Sequence, residues 1–345
     1  MLSFAPSPRA KLDRAFYGAQ QLSLLVPALA AQRLLRVLSG QPLPEVPRDL
    51  VREVKQRYAA LLSTDLDNVE NGLYPRELLF QFPVAAYARE LPRLFADIPR
   101  SMRRKTAGDF RDIPRDVDPK RYPAYFRRTF HWQTDGYFSD HSAHLYDVTV
   151  EFLFLGTADI MRRQVIPPVT RRLRETGQDG VRLLDVACGT GRLLGQMAVA
   201  HPRLRLYGVD LSPAYLRAAR DRLAGVPEVS LAAENAENLP YRDGTFDVMT
   251  SVFLFHELPR ATRRTVLREM KRVLGAGGLL VVEDSAQLAE SAVLAPTLAR
   301  FARDFHEPFY DDYVRDDLAA ALEETGFHVE SVTPAYVSKV VVARA

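Results

Sequence analysis

The strongest constraint on the fold is an apolar run that ends in a glycine-rich turn. Residues 183–191 read Leu-Leu-Asp-Val-Ala-Cys-Gly-Thr-Gly, and apolar residues then recur at helical spacing from Leu193 onwards. Such a run is typical of a buried parallel strand. Gly189 and Gly191 lack a Cβ, so the backbone can turn sharply and a ligand can approach its N–H groups. The pattern predicts a strand, a tight turn and a helix, with Asp185 near the mouth of the turn.

A second apolar run, over 204–210, ends in an acidic residue. Asp210 closes this run, and Leu211, Ser212 and a predicted helix over 214–223 follow it. In nucleoside-binding α/β folds, an acid at the end of the second strand accepts hydrogen bonds from the ribose hydroxyls. A glycine turn alone is a weak signal because such turns are common, whereas the turn and the acid together favour a nucleoside-binding sheet.

Both motifs resemble those of the class I methyltransferases that use S-adenosylmethionine (SAM), and the resemblance extends over about residues 181–345. Residues 185–191 are similar to the family's first motif, with Ala187 in place of the first glycine, and 207–210 resemble the second. Later segments resemble the third motif, the entry to the fourth strand and the turn before the fifth, at 234–240, 243–247 and 272–278. The resemblance implies that SAM is the cofactor.

The resemblance also implies which residues hold the cofactor. In many relatives an Asp stands where this chain has Asn235 and accepts a hydrogen bond from the adenine amine; an Asn can still accept one through its amide oxygen. Tyr146 and Asp147 resemble a Tyr-Asp pair that helps to close the cofactor pocket in the UbiE/COQ5-like quinone C-methyltransferases. The implied SAM-binding residues are Asp185, Ala187, Gly189, Gly191, Asp210, Leu211, Asn235, Ala236 and Tyr146.

A nicotinamide or flavin enzyme is the alternative for a strand–glycine–helix unit. Its fingerprint needs a third glycine, or an alanine, three residues after the second. Leu194 occupies that position in this chain. The sequence therefore disfavours a dinucleotide cofactor.

The alternation of apolar runs with helical segments predicts a Rossmann-like, doubly wound α/β sheet. The predicted parallel strands are 181–187, 204–210, 229–233, 246–253 and 278–284. Two further runs, 327–333 and 336–343, flank Pro334. They predict the antiparallel hairpin that closes the sheet in this methyltransferase fold.

The part of the chain before this core predicts a helical addition. We expect a helical N-terminal region, an aromatic-rich helical lead-in and the methyltransferase domain, at 1–118, 119–180 and 181–345. Leu12 begins one predicted helix and Leu38 ends another. A linker is predicted at 41–47, a further helix from Leu50, and a charged, irregular stretch at 100–120.

The chemistry of methyl transfer indicates where to look for reacting groups. Displacement at a sulfonium needs a positioned nucleophile and little water, beyond the carboxyl ends of the strands. His256 is the leading candidate for a general base or a hydrogen-bond partner of the substrate; alternatively, it caps the next helix or pairs with Glu257. Asp284 orients the substrate or His256, or is a solvated strand end. Glu257, His306 and Tyr310 are the candidate substrate residues.

Several other chemistries are disfavoured. The His-Glu pairs at 256–257 and 306–307 suggest a metal site for a catechol-like substrate, but no metal-ligand spacing supports one, so no metal is expected. Amino-methylation of DNA bases uses an Asn/Asp-Pro-Pro-Tyr-type turn, which the segment 255–258 is not. Pyrimidine C5 methylation needs a cysteine nucleophile, and the single cysteine, Cys188, lies in the cofactor turn.

Composition narrows the partners and the location. The 46 basic and 43 acidic residues leave a formal charge of +3, which gives no bias towards nucleic acid. One cysteine excludes an intrachain disulfide and fits a cytoplasmic location. The apolar run 22–31 continues past Arg33 and Arg36, which predicts an amphipathic helix, with peripheral membrane contact as one option, rather than a secreted leader.

We therefore expect a methyltransferase that acts on a small, aromatic or lipophilic acceptor. The UbiE/COQ5-like resemblance and the aromatic residues favour a quinone-like acceptor, while O-methylation of a natural product stays open. The sequence does not decide the oligomeric state. The alternative from another class is a non-catalytic SAM-binding subunit that acts through its N-terminal helical region.

Overall fold

A seven-stranded mixed sheet forms the centre of the computed structural model, which describes residues 8–38, 46–82 and 84–345. The strands are β1 (Arg182–Val186), β2 (Arg205–Asp210), β3 (Val229–Ala233), β4 (Phe246–Val252), β5 (Leu274–Ser285), β6 (His328–Ala335) and β7 (Ser338–Arg344). Their order is β3-β2-β1-β4-β5-β7-β6. The first five are parallel, and β7 runs antiparallel to both β5 and β6. The Rossmann-like prediction with its C-terminal hairpin is confirmed, although β5 begins at Leu274 rather than at 278.

Helices precede the sheet and connect its strands. The N-terminal region contains α1 (Pro8–Leu38), α2 (Arg48–Glu70), α3 (Glu77–Phe80) and α4 (Val84–Ala107). The lead-in contains α5 (Asp140–Leu153), α6 (Ala158–Arg163) and α7 (Ile166–Thr176). The remaining helices are α8 (Arg192–Ala200), α9 (Pro213–Arg222), α10 (Arg260–Val273), α11 (Leu288–Ser291), α12 (Ala295–Asp304), α13 (Tyr310–Tyr313) and α14 (Leu318–Glu324).

The sheet is buried on both faces because its strands alternate apolar side chains between two cores. In β1, Leu183 and Leu184 are both 0% exposed but belong to different apolar clusters, as expected from the two-residue repeat of a strand. The cluster around Leu183 also contains Leu61 and Leu78 from the N-terminal helices. Burying each such leucine contributes about 1.5–3 kcal/mol, so the N-terminal helices pack against the sheet through shared apolar side chains.

A buried ion pair ties the N-terminal helices to the lead-in. The carboxylate of Asp65 on α2 accepts a hydrogen bond from Nε of Arg163 on α6 at 2.6 Å. Tyr17 of α1 and Tyr74 also donate to Asp65. Because a buried carboxylate is costly without partners, these contacts specify how α1 and α2 dock on α6.

Two predictions about the N-terminal region are wrong. One continuous helix, α1, replaces the two predicted before residue 40, and it passes through Pro27. Buried side chains lie on both sides of this proline, at Tyr17 and Ala28, so tertiary packing outweighs the break. Likewise, α4 continues to Ala107 through two prolines. Residues 100–107, the first part of the stretch predicted to be irregular at 100–120, are therefore helical. The predicted linker at 41–47 lies mostly outside the described residues.

Membrane spans were also sought among these helices. Within the described ranges, no helix combines the length and the apolar character needed to cross a bilayer.

Candidate active site

The glycine-rich turn lies at the carboxyl end of β1, where the strand order of the sheet reverses between β1 and β4. Ala187, Gly189 and Gly191 all adopt left-handed backbone angles, with φ of 59°, 54° and 73°. The turn is held by the neighbouring strand, because the amide of Cys188 donates to the carbonyl of Val209 at 2.9 Å. Ligands of open α/β sheets bind in the crevice at such a reversal.

A cleft opens beside this turn. Its cofactor-side lining contains six of the residues implied for SAM binding, namely Ala187, Gly189, Asp210, Leu211, Asn235 and Ala236. Seven aromatic residues also line the cleft, namely Tyr125, Phe126, Phe130, Tyr137, Tyr146, Tyr215 and Phe253. Five of them, Phe126, Phe130, Tyr137, Tyr146 and Tyr215, belong to one cluster and form an aromatic wall. The structure therefore brings a polar, glycine-lined half and an aromatic half into one cavity.

Asp210 projects from the end of β2 into this cleft. One carboxylate oxygen accepts the amide of Gly189 and the other accepts the amide of Ser212, each at 2.8 Å. Burial raises its pKa to about 6, and the two backbone donors act in the opposite direction. Each oxygen retains a lone pair, so the carboxylate can still accept ribose hydroxyls.

Asp185 and Gly191 lie behind the turn rather than in the cleft lining. The carboxylate of Asp185 is buried and accepts the hydroxyl of Thr250 on β4 at 2.8 Å. Burial raises its pKa to about 7. Gly191 begins α8, and a Cβ there would lie 3.1 Å from the Cβ of Ala219. Both residues therefore support the turn from behind, outside the cleft lining.

The predicted pair Tyr146–Asp147 divides between two roles. Tyr146 lines the cleft. Asp147 faces away and accepts the hydroxyl of Thr190 at 2.8 Å, and it also pairs with Arg222. Because Thr190 belongs to the glycine-rich turn, Asp147 fixes α5 against that turn and so holds Tyr146 over the cleft.

Asn235 lies on the adenine side implied by the resemblance. Its amide oxygen accepts the backbone amide of Glu237 at 2.9 Å, which fixes the orientation of the side chain. The hydroxyl of Tyr125 donates to the carboxylate of Glu237 at 2.8 Å. The lead-in thus contacts the loop after β3, and this contact closes one end of the cleft.

His256 and Asp284 form a buried pair next to the cleft. Nδ1 of His256 lies 2.7 Å from one oxygen of Asp284, whose other oxygen accepts the amide of Phe255 at 2.7 Å. Burial would lower the pKa of His256, but Asp284 raises it to about 9. Asp284 is 0% exposed, so its interpretation as a solvated strand end is wrong. The imidazole neither caps α10 nor pairs with Glu257.

The three candidate substrate residues are placed differently from one another. Glu257 lines the cleft, whereas His256 before it does not. The hydroxyl of Tyr310 lies 2.5 Å from Oγ of Ser285 and the residue is buried. His306 stacks on Phe110, with ring centroids 4.9 Å apart. Tyr310 and His306 therefore lie behind the wall of the cleft.

Three further residues, Tyr137, His131 and Glu307, lie around Glu257. None of them is among the site residues expected from the sequence, although Glu307 belongs to the 306–307 pair considered above for a metal site. Tyr137 donates its hydroxyl to the carboxylate of Glu257. Nε2 of His131 lies 3.5 Å from the same carboxylate, and Nδ1 lies 2.8 Å from a carboxylate oxygen of Glu307. His131 and the next residue, Trp132, both have left-handed φ values of 54° and 59°. Strained backbone of this kind clusters at functional sites.

Comparisons with known proteins identify the family of this chain. A family model described as a methyltransferase domain matches residues 183–278. The O-methyltransferase rstn1 of Aspergillus nomiae is 32% identical, over 57% of this chain and 89% of that protein. The demethylmenaquinone methyltransferase of Geobacillus kaustophilus is 30% identical, over 51% of this chain and 78% of that protein. The malonyl-acyl-carrier-protein O-methyltransferase of Geobacter sulfurreducens is 31% identical, over 48% and 63%.

The family model matches the part of the chain that begins in β1 and contains the glycine-rich turn and Asp210. For two of the three relatives, the chain covers more than two thirds of their length. All three relatives are named methyltransferases. The chain therefore belongs to the class I SAM-dependent methyltransferases.

Proposed function

We propose that this protein transfers the methyl group of SAM to a small, aromatic or lipophilic acceptor. The observation that supports this most strongly is the lining of the cleft, in which the glycine-rich turn and Asp210 share one cavity with seven aromatic residues. An aromatic wall favours a flat, apolar acceptor, because ring contacts contribute about 0.5–1.5 kcal/mol each beyond burial. A closed wall also excludes water from the sulfonium.

The chemical class of the acceptor is supported by the relatives. Some are named O-methyltransferases and others demethylmenaquinone methyltransferase. We propose a quinone-like or phenolic ring as the acceptor, methylated on carbon or oxygen. No observation on the described residues favours the non-catalytic SAM-binding subunit, which the turnover experiment below would reveal.

We infer that the residues selected from the sequence divide between the two substrates. Asp210, Leu211, Asn235 and Ala236 would hold the nucleoside, the 187–191 turn the methionine part, and Tyr146 would cover it. Glu257 would face the acceptor. His256, held by Asp284, would position the short helix after β4, Phe255–Glu257, which contains Glu257. Replacement of His256 by Gln is expected to spare SAM binding and slow turnover, and full activity would remove His256 from the site.

Turnover with defined acceptors tests this proposal. Purified protein is incubated with SAM and either a reduced naphthoquinone or a set of simple phenols, and S-adenosylhomocysteine is measured. Acceptor-dependent formation of S-adenosylhomocysteine is expected, together with a product heavier by one methylene. Tight SAM binding by calorimetry without turnover on any acceptor in cell extracts would instead favour the binding subunit.

We also propose a cytoplasmic protein without a nucleic-acid partner that touches membranes through α4. Val84, Leu91, Phe95 and Met102 are 36–66% exposed, and their spacing places them on one stripe of the helix. The exposed basic residues of α4 are Arg89, Arg93, Arg100 and Arg103, while its acidic residues Glu90 and Asp97 are buried. An apolar stripe beside exposed arginines suits an anionic lipid surface.

Vesicle sedimentation tests the membrane proposal. Binding is expected to phosphatidylcholine vesicles that contain phosphatidylglycerol and to decrease in the Leu91→Glu, Phe95→Glu double variant. Val293→Glu is the matched control because Val293 is similarly exposed, at 43%, outside α4. Equal binding by the double variant and the control would contradict a role for α4.

A further inference from the structure

Three potential metal ligands converge at the acceptor wall of the cleft. His131, Glu257 and Glu307 each offer one ligand atom, and these atoms all lie within 4.8 Å of one another. They come from the lead-in, from the short helix after β4, and from the segment between α12 and α13. Only Glu257 lines the cleft itself.

The Glu307 carboxylate is buried in this cluster without a hydrogen-bond donor among the described residues. The Glu307 side chain is 0% exposed, and neither of its carboxylate oxygens accepts a hydrogen bond from a described residue. Its Oε1 approaches Nδ1 of His131 at 2.8 Å, at ion-pair distance but without hydrogen-bond alignment. A carboxylate in this position would normally receive two or three donors, because leaving it unsatisfied is costly.

The charges of the cluster are also unbalanced. Two carboxylates face one imidazole, and no Lys or Arg in the described ranges pairs with either carboxylate. A protonated His131 would still leave a net charge of −1. A divalent cation bound to a neutral imidazole and two carboxylates would bring the net charge to zero.

We propose that His131, Glu257 and Glu307 form a binding site for a divalent metal ion. One imidazole and two carboxylates are a ligand set that Zn²⁺, Mn²⁺ or Fe²⁺ accepts. Ligand atoms around a tetrahedral Zn²⁺ lie about 3.4 Å apart, given metal–ligand distances near 2.1 Å. Tyr137, which donates to Glu257, orients that ligand in the manner of outer-shell partners.

The role of this site in the reaction rests on the proposed function. Within that function, a bound metal ion would select which acceptors are methylated. A metal ion beside the aromatic wall would bind an ionised hydroxyl, or two adjacent hydroxyls, of an aromatic acceptor. The preferred acceptors would then be catechol-like or enolic rings. This site also departs from the expectation that the chain binds no metal, which rested on sequence spacing alone.

Calorimetric titration of the full-length protein with ZnCl₂, MnCl₂ and MgCl₂, without SAM or acceptor, tests the site. We expect saturable binding of one Zn²⁺ or Mn²⁺, weakened at least about 100-fold in His131→Gln and in Glu307→Gln. His141→Gln is the matched control, since His141 lies near a single carboxylate, 3.7 Å from Asp97. Thermal melting checks folding, and Zn²⁺ should raise the melting temperature of the wild type and the control alone.

The outcomes separate this inference from the proposed function. Absence of saturable binding, or binding that persists in either ligand variant, overturns the metal site. Equal loss in the His141 control also overturns it. SAM affinity, measured separately in the same preparations, is expected to be unchanged in all variants. Loss of the metal site with intact SAM binding would leave the methyltransferase proposal standing.

Discussion

The two sides of the cleft are built in different ways. The cofactor side comes from consecutive elements, β1 to β3 and the turns that follow them, so its residues lie within 185–236. The acceptor side combines Tyr137 of the lead-in, Glu257 after β4 and, behind them, Glu307. Local backbone geometry determines the first side, whereas packing between distant segments determines the second. The residues of the acceptor wall can therefore be changed while the cofactor site stays the same.

The largest effect that distinguishes the two sides is expected from Asp210→Ala. Loss of the carboxylate removes charge-assisted acceptors for the ribose and the partner of the Gly189 amide. SAM affinity should fall by about 1.5–3 kcal/mol, measured by calorimetry. Asp221→Ala, at an exposed position on α9, is the control and should bind SAM normally. An Asp210 variant with wild-type affinity would contradict the assignment of this side.

A second substitution tests how tightly the cofactor side is packed. A Cβ on Gly208 would lie 2.8 Å from side-chain atoms of Cys188, Leu194 and Leu231. Gly208→Ala should therefore lower the free energy of unfolding by about 1–3 kcal/mol, as overpacking does, measured by urea denaturation. Gly225→Ala has open space around its Cβ and should change stability little. Equal effects of the two variants would argue against close packing behind the turn.

The two sides of the cleft also differ in how far they could be predicted from the sequence. The strands were predictable because apolar runs and glycine turns are local signals, and the chain places them close to the expected bounds. The pairs that contain Glu257 and Glu307 suggested a metal site, but their convergence with His131 was not predictable, because no spacing rule relates residues from three separate segments. Adjacent residues also diverged, since Glu257 faces the cleft and His256 faces Asp284. The continuous helix α1 was not predicted because Pro27 indicates a break in the helix. The tertiary packing that outweighs this proline cannot be seen in the sequence.

On the acceptor side, Tyr137→Phe should separate turnover from cofactor binding. The substitution keeps the ring and removes only the hydroxyl that donates to Glu257. We expect turnover to fall about tenfold, which corresponds to one hydrogen bond of about 1.5 kcal/mol to a charged group, with SAM affinity unchanged. Tyr58→Phe, remote from the cleft and with no hydrogen-bond partner in the described ranges, is the control. A parallel loss of SAM affinity would show that the two sides are not independent.

The smallest expected effect is the pH dependence of SAM binding. Burial raises the pKa of Asp210 to about 6, and the ionised carboxylate is the form that accepts ribose hydroxyls. Affinity should therefore be full above about pH 6 and decrease as the pH falls through that value. Asp210→Asn should bind more weakly and lose this dependence. A profile that persists in the Asn variant would assign it to another group, such as Asp185.

The most direct test is a crystal structure of the protein with bound SAM. The account predicts that the adenosine lies between Asp210 and Asn235, with the methionine part along the 187–191 turn. The methyl carbon should point towards Tyr137 and Glu257. A cleft that stays empty beside Gly189, or a SAM molecule whose methyl group points away from the aromatic wall, would contradict it.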